Sequence, residues 1–412
     1  MKTEQLKALD SIESALADLK LGKMIIVVDD EDRENEGDFI MPAETVTPEA
    51  INFMITQGRG LVCAPVSTKI AKQLDLPLQV QANTDSMGTA FTVTIDAKEK
   101  VSTGISASDR AHTLKLMTHA DAKASDFTRP GHIFPLIAKD GGVLERQGHT
   151  EAAVDIARLA GFASVGVICE IMNEDGSMAR LPELLNFAEK HQMKVVSIAD
   201  LVAYRKQHET LISTVESIPF PTKFGEFQMF IFKSDLLKQE HVAIVKGDVA
   251  SLKNNDTLVR VHSECFTGDI FGSFRCDCGE QLSKSMKLIE EKGSGMVIYL
   301  RQEGRGIGLF NKVKAYQLQD KGMDTAEANI HLGFPVDLRD YTMAAQILRY
   351  FQVSNIKLLT NNPQKIEGLN KLGFQQIERL PLEMDANQKN AQYLFTKKVK
   401  LGHMLKQTLF NQ

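Results

Sequence analysis

Several absences in this 412-residue chain each remove a class of protein. No apolar run reaches the ~18–20 residues that a membrane-spanning helix needs. The opening Met1-Lys2-Thr3-Glu4-Gln5-Leu6-Lys7 has no apolar stretch and does not read as a secretory signal. Five cysteines, an odd number, do not make a disulfide framework. Charge of one sign is not in large excess either. Lys and Arg number 48 against 53 Asp and Glu, a net −5 that argues against a general nucleic-acid binder. No internal repeat or low-complexity tract is present. The expectation is a cytoplasmic protein without a membrane or nucleic-acid partner. What is present is a globular balance, 43% hydrophobic and 25% charged. At ~150 residues per domain, the length suggests two or three domains.

Periodicity supplies the organisation. Ile12, Ala15, Leu16 and Leu19 mark one face of a helix closed by Gly22, and Met24–Val28 reads as a buried strand. Helix-like and strand-like segments then alternate: 49–57, 60–66, 90–96, 109–119, 148–160, 165–171 and 181–190. The expected class is α/β (α+β), two mixed α/β domains covering 1–206 and 207–412. The boundary falls where a helix runs out near Lys206. The following stretch 208–223 is polar, carries Pro219 and Pro221, and reads as a linker. The second half restarts with strands at 225–232, 241–246 and 257–263. A helix over 279–292, a strand over 295–300 and helices over 340–351 and 365–371 follow.

In the first half, Asp29 to Asp38 places seven carboxylates in ten residues directly after an apolar strand. A solvated acidic loop and a hard-cation site both fit, since Mg²⁺ takes oxygen ligands and keeps water. Arg146-Gln147-Gly148-His149-Thr150 precedes an amphipathic helix and suits phosphate at a helix N-terminus. His149 fits either a metal ligand or a packed, capping side chain. Arg129-Pro130-Gly131-His132 and Glu170, at a strand end, are further signals. With Asn83-Thr84-Asp85 and Gly104–Arg110, these segments resemble 3,4-dihydroxy-2-butanone-4-phosphate synthase over essentially the whole first half. The resemblance implies conversion of D-ribulose 5-phosphate to the four-carbon ketone phosphate plus formate. It implies Mg²⁺ or Mn²⁺ on Glu34 and His149, with substrate meeting Arg33, Glu34, Asp38, Arg146, Gln147, Gly148, His149, Thr150 and Glu170. His132 and Glu170 would be essential to the chemistry.

In the second half, Cys265, Cys276 and Cys278 form a C-x₁₀-C-x-C pattern. A structural zinc site and unrelated buried thiols are the plain readings. A fourth cysteine is missing nearby, because Cys63 and Cys169 lie in the other half. Three ligands leave a position for water, the mark of catalytic zinc, and such water reaches a pKa of ~7. Arg301-Gln302-Glu303-Gly304-Arg305-Gly306-Ile307-Gly308 follows a buried strand. A tight surface turn explains its glycines as well as a nucleotide does, and no P-loop pattern is present.

Together these segments resemble GTP cyclohydrolase II from about Thr222 onward, joined by Asp324–Asn329 and Leu359–Pro363. The resemblance implies GTP contacts at Arg260, Val261, His262, Ser263, Glu264, Gln281, Glu303, Gly304, Arg305, Thr325, Thr360 and Lys365. It implies Zn²⁺ on Cys265, Cys276 and Cys278, with Tyr316 near it, and products formate, pyrophosphate and the diaminopyrimidine ribosylamino phosphate. Glu303 suits guanine, since a carboxylate accepts from the ring N–H and the exocyclic amine together. Asp337 would be proton acceptor and Arg339 nucleophile. A guanidinium stays protonated, so a clamp on the phosphates is an equally physical role for Arg339. Both halves then each make one riboflavin precursor, in a chain expected to be a homodimer. One rival is a zinc nucleic-acid binder, against which the missing fourth ligand and the net −5 count. The other is a chain in which one half has decayed into a binding or scaffold module.

Overall fold

The computed structural model describes residues 9–253 and 256–406, so the opening stretch read above as carrying no signal lies outside the described residues. The chain divides into two compact units, Met1–Arg205 and Lys206–Gln412, each built on one seven-stranded mixed sheet with helices.

The first unit opens with the helix Ile12–Lys20, capped by the Ser11 side chain and burying the expected Ile12, Ala15, Leu16 and Leu19. Its strands are β1 (Ile25–Val28), β2 (Gly37–Pro42), β3 (Cys63–Val66), β4 (Ile95–Ala97), β5 (Phe127–Ile137), β6 (Gly166–Glu170) and β7 (Val195–Ser197), in the order β4-β5-β3-β6-β2-β1-β7. Every residue of the β-branched run Ile25-Ile26-Val27-Val28 is buried, as a strand covered on both faces requires. β2 runs antiparallel to both β1 and β6. The carboxyl ends of β1 and β6 therefore flank the start of β2, and the acidic segment is gathered at that end of the sheet.

Two expectations change here. The acidic loop ends at Glu36, because Gly37 and Asp38 belong to β2, where Asp38 is buried opposite Glu170. The strand expected over 90–96 is reduced to β4 plus isolated bridges. Its partner β5 contains Pro130 and Pro135, which cannot donate to a continuous ladder, and the register shifts at Ile95/Asp96.

The second unit contains β8 (Thr214–Thr222), β9 (Gly225–Ser234), β10 (Gln239–Lys246), β11 (Thr257–Ser263), β12 (Gly295–Leu300), β13 (Ile356–Leu359) and β14 (Ile377–Leu380), in the order β14-β13-β11-β12-β10-β9-β8. The stretch read as a linker is corrected: residues 214–222 form edge strand β8, paired along its length with β9. Prolines two residues apart turn their missing donors to the same side, and at a sheet edge that side is open. The polar composition that suggested a linker is that of a mostly exposed edge.

β12, β11 and β13 are adjacent and parallel. Their carboxyl ends lead directly into Glu264-Cys265, Arg301–Gly308 and Thr360-Asn361-Asn362. Crevices outside the carboxyl ends of neighbouring parallel strands are where open α/β sheets bind ligands. Among the described residues, no helix is long and apolar enough to cross a membrane.

Candidate active sites

In the first unit, β1 delivers Asp29, β2 delivers Asp38 and β6 delivers Glu170 to one end of the sheet. Asp29 organises the loop: its carboxylate accepts from the Glu34 and Glu36 amides and from Arg33 Nη1, at 3.1, 2.8 and 2.8 Å. Arg180 donates to the Glu34 and Asn35 carbonyls from outside. Asn35 takes φ +56°, a left-handed conformation that Asn tolerates. So held, donor atoms of Asp29, Glu34 and His149 lie within 4.8 Å of one another. His149 Nε2 stands 3.1 Å from the Val27 carbonyl, which only accepts, so that nitrogen carries hydrogen. Nδ1 then faces Glu34 Oε2 at 3.6 Å. A carbonyl fixing one ring nitrogen while the other meets a carboxylate is a donor set that fits a divalent cation. Burial opposes charge on His149, yet Asp38, Glu34 and Asp29 raise its pKa to about 9. Burial pushes Asp38 up to about 7.

Beside these groups, Gly148 opens the helix His149–Leu159. A Cβ on Gly148 would run into the guanidinium ends of both Arg146 and Arg33, so two cations converge at that helix N-terminus. Arg146 is also paired to Glu151 Oε2 at 2.6 Å. Thr150 is buried and Gln147 exposed. Glu170 Oε2 accepts from the Leu61 amide at 2.8 Å. His132 belongs to a separate pair on β5, with Nδ1 2.7 Å from Asp96 Oδ2. Gly104, at φ +92°, packs on that pair with no room for a Cβ. Among the described residues, no hydrogen bond or ion pair joins His132 to Glu34 or His149.

In the second unit, an open cleft lies beyond the ends of β11, β12 and β13. Cys265, Cys276 and Cys278 have sulfurs within 4.8 Å of one another. Cys265 is the thiol most readily ionised, since Cys276 and Cys278 donate to its sulfur and Lys312 Nζ stands 3.2 Å away. Thr267 connects Cys265 to the Tyr316 hydroxyl, which it meets at 3.3 Å. Alternation along β11 sends Arg260 and His262 to the cleft and Val261 into the core. Val261 adds only its carbonyl, which accepts from Lys365 Nζ at 2.6 Å. Arg260 donates to Gln281 Oε1 at 2.6 Å. Ser263, Glu264, Thr325 and Thr360 line the same cleft.

Several cations are gathered here at close quarters. Burial and the neighbouring Arg260 and Arg339 guanidinia push Lys365 well below its usual range. Arg305, held with Gly304 in left-handed backbone, has a buried Nη1 without a hydrogen-bond partner. Both observations fit an anionic ligand. Asp337 grips Arg339 with both oxygens, at Nε and at Nη2. Although burial disfavours charge, Tyr341 and Asp337 hold this guanidinium above its ordinary value. Glu303 is also engaged: it accepts from the Phe266 amide, the Gly304 amide and Lys312, at 2.6, 2.6 and 2.7 Å. A guanine ring would have to take over from these donors.

The sequence reading passed over Asp96, Arg180, Asp269, Lys312 and Lys397. Asp269 accepts from the Cys265 amide, the Tyr299 hydroxyl and His262. Each reaches its site across at least four residues of sequence or from another element, so no local motif signals it.

Residues 13–204 match the family model for 3,4-dihydroxy-2-butanone 4-phosphate synthase, and residues 213–381 match that for GTP cyclohydrolase II. The chain is 57% identical over 394 residues to riboflavin biosynthesis protein RibBA of Bacillus cereus, covering 96% of this chain and 98% of that protein. It is 55% identical over 398 residues to RibBA of a Synechocystis species, covering 96% and 72%. A solved structure of RibBX, a two-domain 3,4-dihydroxy-2-butanone 4-phosphate synthase from A. baumannii, superposes with TM-score 0.65 at 36% identity, covering 91% of this chain and 100% of that one. With both constellations in place and likeness along nearly its full length, the chain belongs to the bifunctional riboflavin biosynthesis family, and has 3,4-dihydroxy-2-butanone 4-phosphate synthase and GTP cyclohydrolase II activities.

Proposed function

We propose that residues 1–206 carry the synthase reaction, with Mg²⁺ or Mn²⁺ on Glu34 and His149, and residues 207–412 the GTP reaction, with one Zn²⁺ on Cys265, Cys276 and Cys278. The observation supporting this is the match of each donor set to its chemistry. Carboxylate and imidazole suit the harder ion, and three thiols suit zinc.

In the synthase site, a divalent cation held by Glu34 and His149 would supply Lewis-acid chemistry to ribulose 5-phosphate. Arg33, Arg146 and the backbone at Gly148–Thr150 orient the substrate. Asp38, with its pKa near neutrality, and Glu170 opposite it exchange protons with the carbon skeleton. Asp96 fixes Nδ1 of His132 and leaves Nε2 for a further proton transfer. In the second site, zinc held by Cys265, Cys276 and Cys278 would supply Lewis-acid chemistry for loss of the GTP ring carbon as formate. Arg260, Arg305 and Lys365 hold the triphosphate, while Tyr316 stands beside the thiols. The Asp337 fork supports the clamp reading of Arg339. Two of its nitrogens are occupied and its charge is fixed, which leaves Nη1 for a phosphate oxygen.

The chain is further proposed to act as a cytoplasmic homodimer. The exposed apolar Ile270, Phe271, Phe274 and Phe310 in the second unit support an interface, and sedimentation tests it. The functional test is formate release by the intact chain. Ribulose 5-phosphate with Mg²⁺ and GTP with zinc-loaded protein should each yield formate. Failure with one substrate would return that half to a scaffold role.

A further inference from the structure

The helix Ala391–Val399 and the stretch 400–406 lie beyond the residues that match GTP cyclohydrolase II, yet Tyr393, Lys397 and His403 help wall the cleft. Three ties hold this segment down. Lys400 pairs with Asp324 and Glu327, and the Met404 amide donates to the Asn361 carbonyl at 2.9 Å. The third tie is buried: Lys397 Nζ meets Asp277 Oδ1 at 2.6 Å.

Asp277 lies between Cys276 and Cys278 and is 2% exposed. Its other oxygen accepts from Gln281 Nε2 at 2.6 Å, and Gln281 in turn accepts from Arg260. A buried carboxylate is electrostatically costly unless a cation balances it, the more so here if zinc turns the cysteines on either side into thiolates. Lys397, itself 8% exposed, is the ammonium in contact with it. We propose that Lys397 is a positioning residue of the GTP site, holding Asp277 and through it the Cys276–Cys278 arm. This inference rests on the zinc reading above.

The test uses the full chain loaded with Zn²⁺ and follows zinc loss to a chelating dye. Lys397→Met should release zinc about 10- to 100-fold faster than the parent, the usual scale for an outer-shell partner. Lys397→Arg, which keeps a donor and the charge, should restore most of the retention. Asp277→Asn keeps the shape, and adding Lys397→Met to it should cost little more, because the coupled charges are already gone. If Lys397→Met does not fold, Lys397→Arg and Asp277→Asn carry the test alone. The inference is overturned by parental release rates in Lys397→Met, by no retention in Lys397→Arg, or by effects that simply add. A parent chain that takes up no zinc would instead overturn the zinc reading, and this inference with it.

Discussion

His149 owes its charge to its neighbours. In the fold it binds a proton up to about pH 9, against 6.5 for an unperturbed imidazole. A raised histidine pKa contributes stability that is present below 6.5 and lost as pH rises toward 9. Asp38, raised to about 7, acts in the same sense at lower pH. Without Mg²⁺, the melting-temperature advantage of the parent over His149→Gln should therefore shrink between pH 6.5 and 9. A widening gap would contradict the assignment. Metal must displace that proton, so calorimetry in buffers of different ionisation enthalpy at neutral pH should show proton release on Mg²⁺ binding. For Arg339, loss of a charged fork costs about 1.5–3 kcal/mol, roughly 10- to 100-fold in rate. Arg339→Lys should lose turnover by about that factor rather than to background, with no label from α-labelled GTP trapped on the parent protein. Trapped label would restore the nucleophile.

Elements set what each residue can meet. The short helix Phe266–Asp269 brings Gly268 against the thiols, where a Cβ would stand 2.9 Å from Cys276 Sγ and 3.1 Å from Cys265 Sγ. Overpacking of this kind costs about 1–3 kcal/mol. Gly268→Ala should weaken zinc binding by about tenfold or more in a competition titration, while unchanged affinity would show that the arms can spread. Long periodic elements were legible in sequence, since helix Ile12–Lys20 buries the four residues its spacing picks out. β8 was not, because an exposed edge needs no apolar alternation and tolerates prolines that mimic a linker. β2 was hidden for the opposite reason. Its Asp38 is an acidic residue that the fold buries, and hydropathy places such a residue outside.

At the scale of the whole molecule, the two constellations lie in separate compact units with different donor chemistry. Cys276→Ser should abolish formate release from GTP and leave that from ribulose 5-phosphate near the parental rate. Glu34→Gln should do the reverse, with a loss greater than the ~10–100-fold of an outer-shell change. Loss of both activities from either substitution would refute independent sites. The sequence by itself determined the two-part organisation, the α/β class, the thiol triad and the acidic segment, because periodicity, ligand type and short spacing are local properties. It also determined the family, through motifs that are contiguous in the chain. Only the tertiary structure decided that Asp29 organises the acidic loop, that Asp96 backs His132, that Asp337 occupies Arg339 and that Lys397 reaches Asp277. Two of these, Asp96 with His132 and Lys397 with Asp277, depend on side chains meeting across the fold. The other two, Asp29 with its loop amides and Asp337 with Arg339, depend on a backbone conformation that spacing alone does not dictate. Burial then fixes which charges must be balanced, and by what.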